Sequence, residues 1–240
     1  MTISEIVHPC TTNIFEGLRP LLVEDEGQRI ETFRLRYRAY LAEGAIEPKP
    51  RRIFYDRYDL QHTSLLIAVA EEGKGIVGSV RFGIQPGANL APVDFMASPE
   101  AAVFPDALER LAGDNRLIVS GARLCIQPDH HRRRQIAMLL MMALASAGVA
   151  VRAKWAIATA RGGHLHFYRR LLRMDQIAEP KLMPGLLYEY ALLATDIDRV
   201  GSEVTGEFPT TCRDYFHAMV PDWNRRVRTA SRYVTSLEAA

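Results

Sequence analysis

A mixed β-sheet with helices packed on its faces is the fold class this sequence predicts, and three observations carry it. A helix-patterned stretch in the first fifty residues is followed by an apolar hairpin, and two strand-turn-helix units come after that. Hydrophobic residues make up 48% of the chain and charged residues 24%, the balance of an ordinary globular protein rather than of a disordered or membrane-embedded one. No low-complexity linker divides the 240 residues, which favours one large domain.

Each element has its own signal. Between Gly27 and Gly44, Ile30, Phe33, Tyr37, Tyr40 and Leu41 recur at helical spacing, Gly44 supplies the stop, and Arg34, Arg36 and Arg38 ride on the same helix. Leu65 to Ala70 and Ile76 to Ile84 are rich in aliphatic and β-branched residues and flank Glu71-Glu72-Gly73-Lys74-Gly75, the pattern of a β-hairpin. From Gln85 to Asn115 prolines and glycines leave room for only one short helix, near Asp106 to Leu111, in a segment that reads as an insertion over a site. Leu117 to Ile126 reads as a strand that Pro128-Asp129 turns into a long apolar helix from about Arg134. Trp155 to Thr159 is a short buried strand, Gly162-Gly163 a turn, His164 to Arg173 a helix, and Leu187 to Leu193 a further strand. These elements define a domain of residues 1–195. Residues 196–240 are expected to pack on it as a helical extension, with helices at Thr211 to Met219 and Trp223 to Leu237.

Charge and cysteine usage exclude several classes. A net charge of +2 does not argue for nucleic acid, and His130-His131-Arg132-Arg133-Arg134 lacks any aromatic or helix-turn-helix context for that role. Cys10, Cys125 and Cys212 are odd in number and far apart, which fits free thiols in a reducing compartment and offers no metal-ligand spacing. No metal and no cofactor is expected. The first residues lack a basic and apolar leader, and the apolar run from Ile136 to Val151 is shorter than the roughly 18 to 20 residues of a bilayer span. The expectation is a cytoplasmic protein without stable membrane insertion.

Two constellations carry chemistry. A helix that opens directly after a strand presents unpaired backbone N–H groups to a phosphate or pantetheine chain, and the segment from Leu117 to Ala137 has that form. Upstream stand Arg36-x-x-x-Tyr40, then Asp56 and Asp59 three residues apart among tyrosines, then Gly78-x-x-Arg81. Carboxylates and guanidiniums together suit a small molecule bearing both an amine and a carboxylate.

Arg132-Arg133-Arg134-Gln135-Ile136-Ala137 resembles the acyl-donor motif of the GNAT superfamily of N-acetyltransferases, Arg/Gln-x-x-Gly-x-Gly/Ala, with Gln135 in place of the first glycine. The spacing of the arginine helix, Asp56-x-x-Asp59 and Gly78-x-x-Arg81 resembles acyl-homoserine lactone synthases and long-chain N-acyl amino acid synthases, over Arg34 to Leu171. The resemblance implies a GNAT-like, mostly antiparallel sheet with helices on both faces, and transfer of an acyl group from a thioester to an amine. It places Arg36, Tyr40, Asp56 and Arg81 around the acceptor. It also places Leu124, Cys125, Ile126, Arg132, Arg133, Arg134, Gln135, Ile136 and Ala137 around the donor, with a backbone N–H near Leu124 to Ile126 as oxyanion donor. Asp59, Ser120, Arg123 and Tyr168 are the expected catalytic set, Tyr168 protonating the departing thiolate. Met138-Leu139-Leu140-Met141-Met142 either lines an acyl tunnel or packs in the core.

Two departures bear on function. Both families carry Glu-x-x-Arg on the strand before the donor motif, whereas this chain has Ser120-Gly121-Ala122-Arg123, and the tryptophan expected after the first helix is absent. A serine alone is too weak a base, so the proton acceptor is left among Asp59, His164 and His166. The basic Arg132 to Arg134 run and the missing glycine favour acyl carrier protein over acyl-coenzyme A as donor, and the absent tryptophan with the replaced glutamate favours an amino acid as acceptor. A lactone synthase using S-adenosylmethionine and a non-catalytic acyl-carrier or lipid-binding regulator are the alternatives.

Overall fold

Alternation of side chains along the strands decides the layers. A computed structural model describes residues 15–61, 64–85, 98–113, 117–130 and 134–199. In chain order these form β1 (Leu18–Leu22), α1 (Glu26–Ala42), β2 (Ser64–Glu71), β3 (Gly75–Gln85), α2 (Pro99–Val103), α3 (Pro105–Ala112), β4 (Ile118–Ile126), α4 (Arg134–Ala150), β5 (Trp155–Ala160), α5 (Leu165–Leu172), β6 (Asp175–Leu182) and β7 (Glu189–Asp196). The strands make one sheet in the order β1-β2-β3-β4-β5-β7-β6, antiparallel everywhere except between β4 and β5.

Val80 and Phe82 of β3 and Val119 of β4 share one core with Ile136, Leu139 and Leu140 of α4 and Tyr168 and Leu172 of α5. Ile118 and Ile157, one position out of phase, join Tyr37 of α1 and Ala107 and Leu108 of α3 in a second core on the opposite face. Each fully buried Leu, Ile or Phe in these layers contributes about 1.5–3 kcal/mol, so the two cores fix which side of the sheet each helix covers. α1 starts at Asp25, whose Oδ1 accepts from the Gln28 N–H at 2.8 Å, and ends before Gly44 in the left-handed region at φ 66°. α4 lies close on β3: a Cβ at Gly78 would stand 2.5 Å from Ile136 Cγ2.

Three elements depart from the sequence expectation. β1 is a strand despite Pro20, because it pairs on one side only and an edge tolerates a missing donor. β6, at the other edge, contains Pro180 and exposed charged residues and so shows no strand alternation. The insertion holds two helices rather than one: Ser98 Oγ accepts from the Ala101 N–H and Pro99 opens α2 ahead of the expected α3. The helices expected after residue 196 and the residues Cys10, Cys212, Arg132 and Arg133 lie outside the described residues.

The pairing of β4 with β5 positions the site. It covers only Ile118 to Gly121 against Trp155 to Ala158. Past Gly121, β4 bulges: Arg81 pairs with Ala122 but Ser79 pairs with Cys125, so two residues of β4 face Val80, and Arg123 takes a φ of 59°. The remainder of β4 leaves β5 and a gap opens in the sheet.

Candidate active site

A cavity of about 1240 Å³ occupies that gap. It exceeds the roughly 300–1,000 Å³ of ordinary small-molecule pockets. Arg123, Leu124, Cys125 and Ile126 form one wall and Thr159 and Ala160 the other. Ala137 and Met138 of α4 with Phe167 and Tyr168 of α5 close it on one face, and Tyr40, Arg81, Glu100 and Met183 close it on the other. The cavity therefore reaches both helical layers through the sheet.

On the α4 side the geometry suits a thioester. Gln127 donates its N–H to Val77 O on β3, so alternation turns the Ile126 N–H away from β3 and toward the gap, where an oxyanion would find it. Arg134 and Ala137 line the opening of α4, whose first N–H groups have no partner within the helix. Ile136 instead packs in the core at 0% exposure, and neither it nor Gln135 is among the described lining residues. Met138 lines the cavity while Met141 and Met142 are core residues, so the methionine run divides between the two. Burial pushes the Cys125 thiol up to about 11, against Arg36 and a 3.3 Å contact with Ser79 Oγ, so it stays protonated and is no nucleophile. Burial likewise pushes the Tyr168 phenol up to about 12. Near neutral pH it keeps the proton that a departing thiolate needs.

On the other face the charged residues form one chain. Arg36 Nη1 donates to Asp59 Oδ1 at 2.6 Å, Arg81 Nη1 lies 3.4 Å from the same oxygen and 2.6 Å from Asp56 Oδ1, and Arg123 Nη2 donates to Asp56 Oδ2 at 2.9 Å. Asp56 Oδ1 also accepts from the Tyr58 N–H, and Asp59 Oδ2 accepts from the Asp56 N–H at 3.0 Å. Every carboxylate oxygen of the pair is engaged within the protein. Burial works against the ionised form of Asp59, but Arg36 and Arg81 outweigh it and hold the carboxyl below its usual range. The structure thus places Asp59, expected in the catalytic set, and Asp56, expected at the acceptor, in ion pairs with the arginines. These residues fix arginines. With three guanidiniums to two carboxylates the chain is positive, and Arg123 Nη1 is buried without a partner beside the cavity. Burial pushes the Tyr40 phenol up despite Arg123, leaving a neutral hydroxyl in the same wall.

The family model for the N-acyl amino acid synthase FeeM matches residues 31–196. The chain belongs to this family. It is an N-acyltransferase of GNAT-like fold, as the sequence predicted. Among solved structures, FeeM, an N-acyl amino acid synthase from uncultured soil microbes, superposes with a TM-score of 0.63 at 14% identity over 77% of this chain and 93% of FeeM. The coenzyme A-dependent acyl-homoserine lactone synthase BjaI gives 0.55 at 18% identity over 85% and 92% of the two chains. The acyl-homoserine lactone synthase LasI gives 0.55 at 14% over 75% and 90%. No curated protein matches the chain in sequence.

Within this FeeM-family fold, Ser120 is not among the described lining residues. It is 3% exposed, and its Oγ lies against Gly83, where a Cβ would stand 2.7 Å from it. Ser120, expected in the catalytic set, thus packs against β3 and outside the described cavity lining. His164 and His166 are exposed on the rim. Sequence reasoning missed Glu43, Glu100, Arg161 and Tyr190, all of which line the cavity. Ser98-Pro99-Glu100 carried a helix-start signal that marks Glu100, whereas Tyr190 had no signal beyond its strand.

Proposed function

We propose that this enzyme transfers a long-chain acyl group from acyl carrier protein to the amine of an amino acid. The supporting observation is the cavity through the sheet, with an apolar, thiol-compatible half under α4 and α5 and a cationic half under α1. In this reading the acyl thioester enters along β4 with its carbonyl oxygen at the Ile126 N–H. The acceptor lies on the opposite face with its carboxylate on Arg123 and Arg81. The uncharged amine attacks the carbonyl carbon, the C–N bond forms, the C–S bond breaks, and Tyr168 protonates the thiolate. Cys125 forms no covalent intermediate.

The carrier is favoured over coenzyme A by the rim. Arg134, Arg161, Arg170 and Arg173 line the mouth together with His164 and His166, a cationic ring that suits the acidic surface of an acyl carrier protein. The expected patch at Arg132 and Arg133 lies outside the described residues, and α5 adds arginines that the sequence reading did not assign to docking. An open-chain product is favoured because an ordinary amino acid lacks the second leaving group that lactone closure needs. Incubating the purified protein with long-chain acyl-acyl carrier protein and either mixed amino acids or S-adenosylmethionine separates the readings by product mass. The expected product is an N-acyl amino acid; an acyl lactone with release of methylthioadenosine would overturn this reading.

A further inference from the structure

Two carboxylates stand among the described residues that line the cavity, Glu43 and Glu100. Glu43 is half exposed and already paired, Arg161 Nη2 reaching its Oε2 at 3.2 Å. Glu100 differs. It sits in the first turn of α2, 1% exposed, and its Oε2 has no hydrogen-bond partner. A buried carboxyl oxygen without a hydrogen-bond partner costs about 1–3 kcal/mol, and packing alone gives no reason to carry one.

Its placement supplies a reason. Ala101, beside it on α2, packs on the core that contains Ile118 of β4. Ser120 follows Ile118 by two residues and so points to the same face of the sheet. α2 thus brings a carboxylate to the face from which a glutamate at position 120 would have pointed. Asp56 and Asp59, the other acids nearby, are already paired with Arg36, Arg81 and Arg123.

We infer that Glu100 takes the proton from the acceptor's ammonium group, doing from α2 what a β4 glutamate would do in its absence. The inference rests on the acyl-transfer reading above. One proton moves from the ammonium nitrogen to Glu100 Oε2, directly or through one water, and the freed lone pair attacks the thioester carbon. As the C–S bond breaks, the thiolate takes a proton from Tyr168, which regains one from the new amide nitrogen through water. Glu100 returns its proton to solvent before the next turnover, so each amide formed releases one proton.

The test compares wild type with Glu100→Gln, using long-chain acyl-acyl carrier protein and saturating amino acid, with thiol release followed across pH. A folded E100Q should lose about 10²- to 10⁴-fold in kcat with the apparent KM for the donor unchanged. Its residual rate should climb about tenfold per pH unit below the acceptor amine's own pKa, because solvent must then supply the free amine, while wild type stays flatter. A rate lowered equally at every pH, or not lowered, overturns the inference and leaves acyl transfer standing. Should E100Q fail to fold, Glu100→Ala with added formate decides: partial rescue rising with formate supports the role, and none overturns it. A wild type inactive toward every amine would remove the parent reading and this one together.

Discussion

Arg36 and Asp59 are both fully enclosed and joined at 2.6 Å, which makes that pair the most deeply buried link of the Arg36–Asp59–Arg81–Asp56–Arg123 chain. Asp59→Asn leaves a buried guanidinium without its counter-charge, for which a loss of about 3–5 kcal/mol is expected. The pH dependence has a definite sign. The folded carboxyl is held below its unfolded value, so the pair adds stability above about pH 4 and loses it as pH falls through the lower folded value. Urea unfolding at several pH values should show wild type weakening in acid over a range where D59N is flat; coincident midpoints at pH 7 would mean the pair has little weight. The sequence made the partnership of these arginines and aspartates legible through spacing alone. It did not show that the acids would be consumed by the arginines, because an i to i+3 spacing says nothing of which oxygens remain free.

At the scale of elements, α5 and the start of α4 set the charge of the mouth. Arg134→Glu combined with Arg170→Glu should raise the apparent Michaelis constant for acyl-acyl carrier protein by about tenfold or more at low salt and flatten its salt dependence, while a small acyl thioester lacking the carrier is unaffected. Equal losses for both donors would place these arginines at the thioester itself. The strands with strong apolar patterning, β2, β3, β4 and β5, were readable to within a residue or two, as were α1, α4 and α5. β1 and β6 were not, since each is an edge strand carrying a proline and only the neighbouring strand makes it one. α2 was hidden by the prolines around it, and with it Glu100. That omission matters most, because the base was sought among Asp59, His164 and His166, and nothing in the sequence placed α2 against the cavity.

At the scale of the molecule, among the described residues four paired positions between β4 and β5 join a four-stranded half-sheet to a three-stranded one. A seam that short is the place where the molecule can breathe, and the cavity begins where it stops. A thioester lying along the open edge of β4 acts as a stitch continuing the seam beyond Gly121. Bound at a hundred times its dissociation constant, the donor should stabilise the fold by about 2.7 kcal/mol. If the stitch lies where the strands part, hydrogen exchange of the Ile126 amide should slow on donor binding well beyond the change at Ile67, which sits in the ladder between β2 and β3. Equal slowing at both would mean that the donor merely steadies the whole fold. In the proposed donor pose, turnover unpicks the stitch: once the acyl group has moved to the amine, the thiol end no longer bridges the two halves, and exchange at Ile126 should return to its unliganded rate on product departure.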